Sequence, residues 1–322
     1  MRTALDTLQS RVFDAIVIGG GVAGISAAIS VASDGWNVLL LQGTQNGFED
    51  YPGGLVALSE EVENYPGFGG ARGIDLICDL HLQARRAGAV TLRENAMQAI
   101  FDSEGESHEV IASDGNSYFA PQVIIATGTR PRKLGVKGES ELWGRGVSHY
   151  AALDGEFFRG EDVIIVGAGG TAYENARILN KCAKRVTVMF RSESHLAESR
   201  IASIPGIRLI PQSDLLSING VSTVDSVTIT TPEGPRDLHA RGVFISIGHD
   251  PHFGFSHNLD MDQLLDVSDF YAPYLVVAGI PGIFVAGSLS SPTSSLAIVA
   301  AASGATAGKS ASRQLEYKVD RS

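Results

Sequence analysis

An α/β chain assembled from two repeated strand, glycine-turn and helix units is the fold class that the sequence predicts, and three observations carry it. A β-branched run, Ala15-Ile16-Val17-Ile18, leads at once into Gly19-Gly20-Gly21-Val22-Ala23-Gly24 and then into the helix-forming stretch Ile25 to Ala32. The same order returns at Val163-Ile164-Ile165-Val166, followed by Gly167-Ala168-Gly169-Gly170-Thr171-Ala172 and a helical stretch to Ala183. With 322 residues, 44% apolar and 19% charged, the chain suits two compact domains with buried cores and is too apolar for a disordered one.

In the first unit, Gly19 permits a tight turn and Gly21 lets backbone N–H groups approach a pyrophosphate. Gly24 lets helix and strand pack closely, so that the helix N-terminus faces the anion. These are the marks of a Rossmann-like dinucleotide cradle. Asp34-Gly35 then turns the chain into a second strand, Trp36 to Leu41. The acidic residue that would hold a ribose hydroxyl at its end is replaced by Gln42, whose amide makes the same bond more weakly.

In the second unit Gly167, Gly169, Thr171 and Ala172 form the equivalent cradle, and the strand Val186 to Phe190 ends in Arg191-Ser192. An Arg at this place suits a 2′-phosphate better than a free ribose; an ordinary surface Arg is the other reading.

Composition excludes several classes. A formal net charge of −11 repels nucleic acid and anionic membranes, so neither is expected as a partner. No window of about 20 apolar residues occurs, and Met1 to Phe13 carries Arg2, Asp6 and Arg11 where a secretory signal needs an unbroken apolar run, which predicts a cytoplasmic protein. No metal is expected. Cys78 and Cys182, in stretches read as helices over 74–89 and 171–183, are expected to be buried thiols packed as small apolar groups, a redox role being the other reading.

Four further segments complete the pattern. Gly53-Gly54-Leu55 precedes Val62-Glu63-Asn64-Tyr65-Pro66-Gly67-Phe68; Ala126-Thr127-Gly128 ends the strand Val123 to Ile125; Gly282-Ile283-Phe284-Val285-Ala286-Gly287-Ser288 lies near the end; and Ser295-Leu296-Ala297 opens a small-residue helix. In order and spacing, over nearly the whole chain, these resemble the thioredoxin reductase family of small flavoproteins.

The resemblance implies FAD in the first cradle. Gly54, Leu55 and Asn64 would pass beside the isoalloxazine, and Thr127 and Gly128 would form the crossover between cofactor and chain, a plain strand exit being the alternative. Gly287 and Ser288 would form the closing FAD motif, and the helix opened by Ser295, Leu296 and Ala297 would point its N-terminus at the flavin pyrimidine ring. Leu55 stands where the family has Gln, and Ser288 where it has Asp. The resemblance also implies an inserted layout: an FAD domain over 1–131 and 249–322, interrupted by an NAD(P)-binding-like domain over 132–248 and joined by the return segment His249-Asp250-Pro251. A homodimer is implied in the same way.

The departure that matters most lies at Val147-Ser148-His149-Tyr150-Ala151-Ala152-Leu153-Asp154-Gly155, which aligns with the family's redox loop but holds Tyr150 and Leu153 where its two cysteines belong. The family's route to thioredoxin is therefore closed. Asp154 keeps the position of the family's proton donor; a solvated or helix-capping Asp is the other reading. His149 and Tyr150 would either touch substrate or fill the space the cysteines left. The family's basic run in the nucleotide domain reads here Phe190-Arg191-Ser192-Glu193-Ser194-His195-Leu196, keeping one Arg and placing an acid close by, so NADPH is expected to bind poorly, if at all, at the second site.

Three functions follow as expectations. In the first, FAD acts directly on a small-molecule substrate, with O2 or a redox carrier protein as acceptor and Asp154, His149 or Tyr150 handling protons. The second is an NAD(P)H-dependent reductase of ferredoxin, flavodoxin or a quinone-like acceptor. The third is a flavoprotein without turnover that serves as a sensor or binding partner.

Overall fold

Short strands rich in Val, Ile and Leu become parallel sheets only when both faces are covered, and the two largest sheets of this protein meet that condition. The computed structural model describes residues 11–44, 53–59, 61–62, 65–191, 195–231, 234–256, 276–277, 280–290 and 296–320. Contacts divide the chain into Met1–Thr129 with Pro251–Ser322, and Arg130–Asp250. The boundaries expected from sequence were 131/132 and 248/249.

The first unit opens with β1 (Ala15–Ile18), α1 (Val22–Ser33) and β2 (Val38–Leu41). It continues through α2 (Gly73–Ala87), β3 (Val90–Leu92), the antiparallel meander β4 (Ala96–Ile100), β5 (His108–Ala112) and β6 (Ser117–Ala120), and then β7 (Gln122–Ile125). After β8 (Thr129–Pro131), the second unit holds β9 (Val147–Ser148), α3 (Ala151–Asp154), β10 (Asp162–Val166), α4 (Gly170–Leu179), β11 (Arg185–Met189), α5 (His195–Ala202) and β12 (Arg208–Ile210). A second meander, β13 (Asp214–Asn219), β14 (Ser226–Thr231) and β15 (Gly234–His239), leads to β16 (Gly242–Ile245) and β17 (His249–Pro251). The chain then completes the first unit with β18 (Val276–Val277), β19 (Ile283–Val285) and the long α6 (Ala297–Val319).

The first unit's main sheet runs β18-β19-β7-β1-β2-β3, parallel except at β18. Alternation sends Ala15 and Val17 of β1 into the core shared with α1 and α6, and Ile16 and Ile18 into the core under the β4–β6 meander. The second unit repeats the design in the order β12-β11-β10-β16-β9, all parallel. Val163 and Ile165 of β10 pack on α4, while Ile164 and Val166 meet Leu215, Ile218, Val227 and Ile229 of the β13–β15 meander. These are two Rossmann-like domains, the second inserted in the first.

The first and last helices of the opening unit lie against each other through small residues. A Cβ on Gly304 of α6 would sit 1.9 Å from the Ala23 carbonyl oxygen of α1, and one on Gly308 would sit 2.6 Å from that of Ala27. An ion pair from Lys309 to Asp34 closes the far end and holds the Asp34 carboxyl below its usual range, chiefly through its bond to the lysine.

Two sequence expectations fail here. Cys78 is exposed and Cys182 half-buried, so neither is the core thiol expected. On α2 the buried stripe is Leu76, Ile77, Leu80 and Ala84, and Cys78 falls off it. Helix α4 stops at Leu179 instead of running to Ala183, which leaves Cys182 in the following turn, its Sγ 3.4 Å from the Gly155 carbonyl.

Candidate functional site

Each cradle is set by a strand that must turn sharply into a helix at its C-terminal end. At the first, Gly19 has φ +119° and a Cβ there would lie 2.3 Å from the Ala126 carbonyl oxygen, which only glycine tolerates. A Cβ on Gly24 would reach within 1.8 Å of the Gly19 carbonyl, so helix and turn touch backbone to backbone. Gly21 is the N-cap of α1, with no side-chain cap bond and no acid in the first turn. Its N–H groups are therefore left for an anion, and the dipole favours one. Gln42 stands beside the turn, its carbonyl accepting the Gly20 N–H at 3.1 Å.

Parallel pairing of β7 with β19 aligns Val123 with Ile283 and so brings two more predicted groups to the same sheet end. Gly128 and Ser288 are neighbours there, the Ser288 Oγ lying 3.6 Å from where a Gly128 Cβ would be. The Gly287 N–H donates to Ser303 Oγ at 2.9 Å. Thr127 turns its hydroxyl to the His252 carbonyl at 2.5 Å, so it braces the return segment. Gly54 approaches the Gly21 Cα, with 3.6 Å from its Cβ position, and Leu55 is exposed at the start of the turn Leu55–Leu58. Leu296 is the N-cap of α6, again without a side-chain cap bond, and Ala297 is buried behind it. Asn64 and Ser295 lie outside the described residues.

In the second unit Gly167 has φ +122°, and a Cβ there would be 2.1 Å from the Ser246 carbonyl oxygen. Gly169 caps α4 with open space where a Cβ would point, Thr171 is in the first turn, and Ala172 is fully buried beneath it. Arg191, read from sequence as a 2′-phosphate clamp or a surface Arg, is ion-paired to Asp214 of β13.

The loop that aligns with the redox segment is tied to the second unit by a polar network. The Ser148 hydroxyl donates to Asp154 Oδ2 at 2.6 Å and accepts the Tyr150 N–H at 3.0 Å. Asn175 of α4 donates to the His149 carbonyl at 2.9 Å and to Ser246 Oγ at 3.0 Å, and accepts the Ala151 N–H at 3.0 Å. His149 is a core residue: 3% exposed, its Nδ1–H donated to the Ile245 carbonyl at 2.9 Å, and its ring 4.6 Å from that of Trp143. Of the two roles read from sequence, filling space fits it. Tyr150 is half-buried beside it, the rings 6.1 Å apart, and Leu153 is exposed. Asp154 starts the following 3-10 turn without capping it, so the capping role fails. Burial, with lesser repulsion from His149 and Arg132, pushes the His249 imidazole below its usual range.

Sequence reading missed Asn175, Ser148 and Ser246. A signal for Asn175 was present, because it occupies an inward position of the stripe Ala172, Ala176 and Leu179, where an amide must find partners. It also missed His108, fully buried on β5, which accepts the Asp102 N–H at Nδ1 (3.1 Å) and donates from Nε2 to the Pro281 carbonyl (3.0 Å), bracing the approach to Gly287. Among the described residues no cluster of His, Cys, Asp and Glu could hold a metal ion, and no helix is long and apolar enough to cross a membrane.

Two glycine cradles on parallel sheets, one domain set inside the other, define a nucleotide-binding α/β oxidoreductase. The sequence pattern of the pyridine nucleotide-disulphide oxidoreductases matches residues 13–304, and the chain belongs to that family. It is 35% identical over 326 aligned positions to the thioredoxin reductase of Streptomyces clavuligerus, covering 97% of each chain. It is also 35% identical to the bifunctional thioredoxin reductase/thioredoxin of Mycobacterium leprae, covering 95% of this chain and 67% of that one. Among solved structures, Lactococcus lactis thioredoxin reductase superimposes with a TM-score of 0.78 at 28% identity, covering 94% of this chain and 98% of that one. The chain has two cysteines, Cys78 and Cys182, one in each unit, and neither falls in the segment 147–155.

Proposed function

We propose that the protein is an FAD-dependent oxidoreductase in which electrons pass directly between bound cofactor and a small-molecule substrate, with O2 or a redox carrier protein as the other partner and no dithiol relay. The observation that carries this reading is the side-chain chemistry of one loop: positions 150 and 153 are Tyr and Leu, and neither can be oxidised to a disulphide. The uncapped helix starts at Gly21 and Leu296 and the glycine contacts at Gly19 and Gly24 fit a dinucleotide's pyrophosphate and a ring that carries negative charge when reduced. FAD, when bound, supplies hydride exchange at its N5 atom.

The chain's own residues do the rest. Gly19, Gly21 and Gly24 would hold the pyrophosphate, with Gln42 serving the ribose; Gly54, Leu55, Thr127, Gly128, Gly287 and Ser288 would line the cofactor's course, and Leu296 and Ala297 would present the start of α6. Asp154 trades protons with substrate, and the Ser148 hydroxyl donated to its Oδ2 orients it. Tyr150 stays a candidate for substrate contact, whereas His149, buried behind Trp143, is assigned to packing. A homodimer belongs to the same proposal.

The test is a thioredoxin reduction assay with NADPH or NADH as donor, beside anaerobic mixing of the flavin-loaded protein with each nucleotide. The reading expects no thioredoxin turnover, and multiple turnovers would overturn it. Rapid bleaching of the flavin by either nucleotide would favour the second reading, an NAD(P)H-dependent reductase of ferredoxin, flavodoxin or a quinone-like acceptor. The open, uncapped α4 start at Gly169 supports that reading.

A further inference from the structure

We infer that the second cradle selects NAD(H) over NADP(H), and that Asp214 is the residue that makes the choice. This rests on the reading of that cradle as a pyridine-nucleotide site. In a Rossmann-like unit the end of the second strand faces the adenosine ribose, where an acid holds the free diol or an arginine holds a 2′-phosphate. Here that place is taken by Arg191, just past β11, which read in isolation favours the phosphate. The fold changes its meaning by bringing a carboxylate from a distant strand.

The delivery is built into backbone. The Ser213 N–H donates to the Phe190 carbonyl at 3.1 Å, which sets the start of β13 against the end of β11. The turn leading into it passes through Gln212 at φ +50°, an uncommon conformation for a residue other than glycine. The Asp214 N–H is fixed by Thr230 Oγ1 at 3.0 Å, and its carboxylate bonds the Arg191 Nε. The pair neutralises the single arginine of the clamp.

Two consequences follow for a ligand. A 2′-phosphate brings nearly two negative charges to a site whose arginine is already paired and whose carboxylate repels it. A free ribose diol instead finds an acceptor, because the Asp214 side chain remains 44% exposed and a carboxylate has lone pairs beyond the one the guanidinium uses. Asp214 thus supplies from β13 a carboxylate at the strand end, where the sequence places Arg191.

The experiment is calorimetric titration of the intact, flavin-loaded protein with NAD+ and, separately, NADP+, which bind without reducing the flavin. Wild type is expected to bind NAD+ more tightly, by about fivefold or more, the scale of one partly exposed charge contact. Asp214→Asn, which frees Arg191 while keeping the side chain's shape, should narrow or invert that ratio, and Asp214→Asn combined with Arg191→Ala should abolish the gain in NADP+ affinity. Arg191→Ala alone should keep or widen the preference for NAD+, and as a substitution of a 75% exposed side chain it keeps the test valid if the Asp214 variants fold poorly. NADP+ binding as tightly as NAD+ to wild type, or an unchanged ratio in Asp214→Asn, overturns the inference and leaves the cradle a nucleotide site. Binding of neither nucleotide overturns both.

Discussion

At the scale of single residues, the network around Asn175 shows how a polar side chain in a buried helix face becomes a structural fixture. It satisfies the His149 carbonyl, the Ser246 hydroxyl and the Ala151 N–H from one amide, itself 5% exposed. Removing it strands those partners away from water, so Asn175→Ala is expected to cost about 1 to 3 kcal/mol in unfolding free energy, measured by urea denaturation. It should also loosen the loop that carries Asp154, raising amide hydrogen exchange over 148–154. Asp154→Asn, by contrast, is expected to leave the unfolding midpoint near wild type and to slow turnover, general acid–base groups contributing about 10²- to 10⁴-fold. A stopped-flow comparison of the two variants separates positioning from proton handling.

Elements are decided by how closely backbones approach. The contact of α1 with α6 is a contact between chain start and chain end, and it exists because Gly304 and Gly308 leave the carbonyls of Ala23 and Ala27 uncovered. On propensity alone Gly304→Ala should stabilise a helix by about 1 kcal/mol. Its Cβ, however, would lie 1.9 Å from a carbonyl oxygen on a rigid neighbour, and overpacking of that kind costs about 1 to 3 kcal/mol or more. The clash wins, so Gly304→Ala is expected to lower the melting temperature and to reduce the flavin retained through purification. The Lys309 to Asp34 ion pair at the end of the same interface has a half-exposed lysine, and Lys309→Ala is expected to change stability by about 1 kcal/mol or less.

For the molecule as a whole, pH dependence follows from imidazoles that burial or partial burial depresses. Burial holds His108 and His249 below their ordinary range, and His108 uses Nδ1 as an acceptor, which a proton would abolish. The unfolded chain, with imidazoles near about 6.5, then takes up protons before the folded one does. Stability from these groups is fully present above about pH 6.5 and is lost as pH falls through their lower folded values. Urea midpoints should therefore fall between pH 7.5 and 5.5, and His108→Gln should flatten that slope while lowering the plateau. An unchanged slope would assign the acid sensitivity elsewhere.

The sequence by itself determined both cradles, the order of strands and helices around them, and the loss of the dithiol. Each is written in contiguous residues: Gly19, Gly21 and Gly24 act within one turn, and Tyr150 and Leu153 replace cysteines at fixed spacing. Only the tertiary structure decided that His149 is buried, that Cys78 is exposed, and that Arg191 is ion-paired to a residue 23 positions away. The physical reason is common to all three. A side chain's burial and its charge partner depend on which distant strand folds beside it, and no window of neighbouring residues contains that information.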